Sequence, residues 1–179
     1  MNKKKKIYLA GGFCDWRDKV TSIIKNVSWK DPRIAQNPLT GQNLPNWFEM
    51  EAEMIKNSDA MIVFVAESNP SGFGTTFEMG MAYALGIPYI LINEKNNSYQ
   101  WSMQTRGSFM SFKTLEQAFD WMKKTKWMGL EVSDYEHYPS GKPCTHECCW
   151  AHTTHKCELC GRVGCAGEAF VKKENKILT

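Results

Sequence analysis

The chain has 179 residues, 42% hydrophobic and 23% charged, with 22 Lys and Arg against 19 Asp and Glu for a net charge of +3. This length holds one ordinary domain and a small appendage, and the apolar share is enough for a core, which excludes a disordered chain. So slight a positive excess is no argument for nucleic acid by itself, and no run of about 18 apolar residues is present to cross a membrane. Lys3 to Lys6 are not followed by an apolar signal core, so the expected location is cytoplasmic. Cysteine is the outlier: of seven, six (Cys144, Cys148, Cys149, Cys157, Cys160 and Cys165) lie within 22 residues, while Cys14 stands apart. In a chain without secretion signals such clustering points to metal before disulfide.

In chain order, Ile7 to Ala10 is a short apolar strand stopped by the turn Gly11-Gly12. Asp15 stands where it would cap a helix running through Val20, Ile23 and Ile24. Val27 to Trp29 makes a weak second strand, and Lys30 to Pro45, with three prolines, a long loop. Trp47 to Lys56 places Trp47, Met50, Met54 and Ile55 near helical spacing. Ala60 to Ala66 is apolar throughout, the pattern of a strand covered on both faces. After the turn-forming Asn69 to Gly74, Thr75 to Leu85 reads as a helix ended by Gly86 and Pro88, and Tyr89 to Ile92 as another buried strand. Gly107 to Phe112 is expected as a fifth strand, and Leu115 to Lys124 as an amphipathic helix. Strands alternating with helices predict an α/β fold with a parallel sheet and helices on both faces.

Ligands in such open sheets bind outside the carboxyl ends of the strands, which singles out the loops Gly11 to Arg17 and Glu67 to Gly74. The candidate substrate contacts there are Gly11, Gly12, Phe13, Asp15, Arg17, Asn69, Ser71 and Gly74. Glu78 falls in the first turns of the helix after Gly74, where unsatisfied N–H groups favour an anion; the position also suits an ordinary first-turn acidic residue.

Two blocks carry a resemblance. Ile7-Tyr8-Leu9-Ala10-Gly11-Gly12-Phe13 followed by Asp15-Trp16-Arg17, and Ser58 to Phe64 followed by Gly74-Thr75-Thr76-Phe77-Glu78-Met79-Gly80-Met81-Ala82-Tyr83-Ala84-Leu85-Gly86-Ile87-Pro88, resemble the nucleoside 2-deoxyribosyltransferase family and its relatives, the deoxynucleoside monophosphate N-glycosidases. The resemblance spans about residues 6 to 123. It implies a flavodoxin-like, Rossmann-like sheet and a nucleoside or nucleotide substrate. Glu78 matches the glutamate that attacks the anomeric carbon, and Tyr8 a tyrosine that orients it. Glu51, with Glu49 as fallback, matches the acid that contacts the base. A carboxylate stabilises or captures the oxocarbenium-like state of N-glycosidic cleavage. The resemblance also implies a homo-oligomer. Gly72 stands where the family often has Asp, six residues before the glutamate, and Pro70-Ser71 looks like the serine loop of the N-glycosidases. The late asparagine of the transferases has no clear counterpart near Gln104, Arg106 and Ser108, which leaves hydrolysis open beside transfer. Arg17 and Arg106 are the candidate phosphate holders.

The remainder divides into a linker or wrapping segment, 127–143, after a domain of residues 1–126, and a Cys/His-rich segment, 144–179. Cys157-Glu158-Leu159-Cys160-Gly161 is a metal knuckle whose glycine permits the tight turn behind two thiolates. Cys144, His146, Cys148, Cys149 and Cys165 supply further ligands for a structural zinc ion, one site using Cys157, Cys160, Cys144 and either Cys148 or Cys149. Nucleic acid is a lesser alternative partner for this segment.

Overall fold

The computed structural model describes residues 4–12, 15–37, 42–67, 72–95 and 102–135. Its elements run β1 (Lys5–Gly11), α1 (Trp16–Ile23), β2 (Ile24–Lys25), β3 (Val27–Lys30), α2 (Trp47–Lys56), β4 (Ala60–Val65), α3 (Phe73–Ala84), β5 (Tyr89–Asn93), α4 (Ser102–Gly107), β6 (Met110–Phe112), α5 (Leu115–Thr125) and β7 (Glu131–Val132). Five strands form a parallel sheet in the order β3-β1-β4-β5-β6. Setting aside the short β2, this is the 2-1-3-4-5 order of the flavodoxin-like fold.

The period-two alternation of the strands divides the core between two faces. Ile7 and Leu9 of β1, Ala60, Ile62 and Phe64 of β4, and Ile90 and Ile92 of β5 pack with α1 and α5. Tyr8, Ala10, Met61, Val63, Val65, Tyr89 and Leu91 pack on the other face with Ile55 of α2 and Met79 and Ala82 of α3. Burial on both sides is why these strands read as continuous apolar runs rather than alternating ones.

Several boundaries differ from the sequence expectation. The expected strand over Gly107 to Phe112 is the end of α4 followed by a three-residue β6. α4 buries none of its residues, so it left no apolar stripe to find. Asp15 occupies the cap position of α1, but its backbone is already helical (φ −63°, ψ −8°) and its side chain makes no capping hydrogen bond. The loop after β3 holds a turn of 3-10 helix, Pro32–Ala35, capped by the Asp31 carboxylate. α3 begins at Phe73, behind a left-handed Gly72 (φ +65°), two residues earlier than expected.

After α5 the chain wraps back on the domain. Trp127 and Leu130 are buried in the core beneath α1 and α5, and β7 pairs antiparallel with β2. Tyr135 donates its hydroxyl to Asp120 at 2.7 Å, and Lys123 pairs with Asp134.

Candidate functional site

The site grows from residues that three elements turn toward the α2 and α3 face. Alternation along β1 points the fully buried Tyr8 to that side, and its hydroxyl donates to Oε1 of Glu78 at 2.5 Å. Glu78 is the sixth residue of α3, a turn deeper than the helix start the sequence suggested. Its charge state is accordingly governed by burial, not by the helix terminus. Desolvation pushes its carboxyl up to about 7; the Tyr8 hydrogen bond opposes this, Glu51 adds to it and Arg17 opposes it. Near neutral pH both the protonated and the ionised form of Glu78 are therefore accessible. Tyr8 is held protonated far above the ordinary range by its burial and by the adjacent Glu78.

Glu51 lies on α2, half-buried, its carboxyl raised by burial against the pull of Arg17. Glu49 is exposed and lines no part of the cleft. The cleft, about 160 Å³, runs between two helical stripes: Trp47, Phe48, Glu51, Ala52 and Ile55 from α2, and Gly74, Phe77, Glu78 and Met81 from α3. The spacings, one turn apart on each helix, place a carboxylate behind aromatic rings on both walls. Phe48 and Phe77 sit 5.7 Å apart across the cleft, and Trp47 meets Phe48 edge-on at 6.0 Å. Among the described residues no neighbouring atom lies within 4 Å of a Cβ built at Gly74, so this part of the wall is open to them. Phe48 and Phe77 escaped the sequence reading because half-exposed aromatics on amphipathic helices look like ordinary flanks of the core. The signal was an aromatic residue close to an acid on each helix, Phe48 one turn before Glu51 and Phe77 next to Glu78.

The loop after β1 does a different job from the one its position suggested. Gly11 (φ +135°) passes so close to β4 that a Cβ would lie 2.1 Å from the Phe64 carbonyl oxygen. Arg17 is wholly buried. Its guanidinium donates to the carbonyls of Gly12 at 2.6 Å, Gly11 at 2.8 Å and Leu9 at 3.2 Å, and it stands 3.5 Å from Asp31. These bonds tie down the carboxyl end of β1, so Arg17 is no exposed fork for a phosphate. Trp16 also donates to the Gly12 carbonyl, and Asp15 is exposed. Gly11, Gly12 and Asp15 are not among the residues lining the cleft. Arg106 is exposed at the end of α4. Phe13, Asn69 and Ser71 lie outside the described residues, as do Cys144, His146, Cys148, Cys149, Cys157, Cys160 and Cys165. Trp127 is core, while Trp101 and Trp150 lie outside the described residues.

The site thus sets a glutamate held by a tyrosine at the side of an aromatic cleft on one face of the parallel sheet. The family model described as nucleoside 2-deoxyribosyltransferase like matches residues 4–96, and the chain belongs to that family. The match takes in Tyr8, Glu51 and Glu78 together. No curated protein matches the chain. Membership makes glycosyl transfer chemistry on a nucleoside the class of activity. Among the described residues no helix is long and apolar enough to cross a membrane.

Proposed function

We propose that the chain cleaves the N-glycosidic bond of a (deoxy)nucleoside or nucleotide, with the Glu78 carboxylate as nucleophile, and passes the glycosyl group to water or to another base. The observation that carries this is the Tyr8–Glu78 hydrogen bond at the side of a cleft that also holds Glu51. Tyr8 fixes one carboxylate oxygen, leaving the other to approach the anomeric carbon. As the bond to the base breaks, positive charge grows on the sugar, and the ionised form of Glu78 meets it in a site where burial strengthens the attraction. Glu51, one wall away, holds the departing base by hydrogen bonding. Gly11, Gly12, Phe13, Asp15, Asn69, Ser71 and Gly74 remain proposed substrate contacts; Arg17 supports the loop that carries the first of them.

The test is release of free base from a panel of nucleosides and their monophosphates, comparing the native chain with Glu78→Ala. Loss of at least about 10³-fold in the variant is expected of a covalent nucleophile. Equal activity in both overturns the role of Glu78, and no product from any substrate leaves a nucleoside-binding module instead. A second free base in the mixture separates transfer from hydrolysis.

The Cys/His-rich segment is proposed to hold a structural zinc ion. The donor chemistry fits: thiolates and an imidazole are the ligands tetrahedral structural zinc takes, and the C-x-x-C-G knuckle supplies two of them. Metal analysis of the purified chain should find zinc, and a strong chelator should leave the melting of the sheet domain unchanged. A zinc-free preparation with an intact segment sinks this proposal.

A homo-oligomer is proposed as well, through the outward face of α3. Glu78 is the only charged residue of that helix and points inward, whereas a free surface helix carries charge outside. Phe73, Phe77 and Tyr83 are 82%, 55% and 69% exposed, and Trp47, Phe48, Leu85 and Met103 are exposed as well. Taking ~200 Å² for a large side chain, their exposed parts come to roughly 800 Å², what one partner of a standard interface contributes.

A further inference from the structure

We propose that the cleft selects an N-glycoside whose heterocycle is a cation, an N-alkylated pyridinium or purinium, over a neutral nucleoside; this rests on the N-glycosidic reading above. Two walls supply two carboxylates, Glu51 and Glu78, and no Lys, Arg or His is among the lining residues. The adjoining loop positions 13–14 and 68–71 contain no basic residue either. Among the described residues the cation that acts on both carboxylates is Arg17, buried, with its N–H groups on three backbone carbonyls and Asp31 beside it. The lining formed by the described residues is therefore negative in balance.

The aromatic residues at the mouth suit the same ligand. Trp47 and Phe48 meet at 86° and Phe48 and Phe77 at 47°, so their ring faces look in different directions, and all three are part-exposed at 38%, 46% and 55%. Ring faces set at angles are the arrangement that attracts a planar or quaternary cation, because each presents the negative side of its quadrupole. A buried and a half-buried carboxylate, both raised by desolvation, gain from a cation bound in the cleft they line.

The chemistry agrees. A neutral base leaves as an anion and needs a proton; here the Tyr8 hydroxyl is committed to Glu78, which leaves Glu51 as the donor on the lining. A cationic base needs none. An oxygen of Glu78 bonds to the anomeric carbon as the carbon–nitrogen bond breaks. The bonding pair returns to the ring nitrogen and the base departs neutral. Water then takes the glycosyl group, restoring the carboxylate and releasing one proton.

Calorimetric titration of the full chain with 1-methylnicotinamide, a cation, and with its neutral 1,4-dihydro form compares two ligands of nearly the same shape. The cation is expected to bind at least about tenfold tighter, and Glu51→Gln to remove most of that preference. In parallel, base release is measured from nicotinamide riboside and from neutral deoxynucleosides. Equal binding of the two probes, or higher kcat/KM on neutral nucleosides, overturns the cation preference and leaves the N-glycosidic reading standing. Selective cation binding without Glu78-dependent cleavage of any substrate sustains the preference and rejects the N-glycosidic reading. Absence of both binding and cleavage rejects both.

Discussion

Glu78 costs the fold something to keep ionised. Its carboxyl titrates near 7 in the folded chain against 4.5 for the free group, because burial outweighs the Tyr8 hydrogen bond. The folded state thus holds a proton that the unfolded chain has released, and stability falls as pH rises from about 4.5 to 7. A shift of this size corresponds to on the order of 3 kcal/mol. Glu78→Gln keeps an oxygen for Tyr8 and removes the charge. It should melt several degrees above the native chain at pH 8 and near it at pH 4, by thermal denaturation in matched buffers. A constant difference across that range would mean that the carboxyl titrates normally. Tyr8 and Glu78 were legible together in the sequence because each stood in a motif of fixed spacing. Their burial was not, since position in a helix says nothing about which face meets the sheet. Arg17 shows the converse: its sequence position invited a phosphate, and only the folded carbonyl ends of β1 reveal what it binds.

The turn from β1 into α1 is the element on which the site depends. At Gly11 a side chain would collide with the Phe64 backbone, and the backbone angle itself suits glycine. Gly11→Ala should therefore destabilise by at least about 3 kcal/mol in urea unfolding, because the two strands cannot part without breaking their register. Gly74→Ala meets no neighbour within 4 Å among the described residues and serves as the control; it should fold normally and lose activity only through the cleft. β1, β4 and β5 were readable because doubly covered strands are short, apolar and bounded by turn residues. β2 and β7 were not, because two-residue pairings leave no periodicity, and α4 was not, because it buries nothing. The aromatic cleft fell between these cases: its helices were expected, but not the facing of their stripes across a common space.

For the whole molecule, the uncharged outer side of α3 carries the prediction. Sedimentation of the native chain should show an assembly larger than one copy, and Phe73→Glu with Met103→Glu should shift it to a monomer of unchanged secondary structure. A native monomer at micromolar concentration would reject the interface. The α/β class followed from the alternation of elements and the flavodoxin-like sheet from the family resemblance; alternation alone does not give the order of strands, since periodicity fixes faces and not neighbours. The return of the chain after α5 bears on how the protein is divided. Trp127, Leu130 and β7 act as a clasp between the end of α5 and the far end of α1, so a fragment cut at Lys126 would open a hole in the core and strip β2 of its partner. A self-standing fragment of the sheet domain therefore has to include Tyr135, whose hydroxyl bonds to Glu116 and Asp120 hold this return segment against α5.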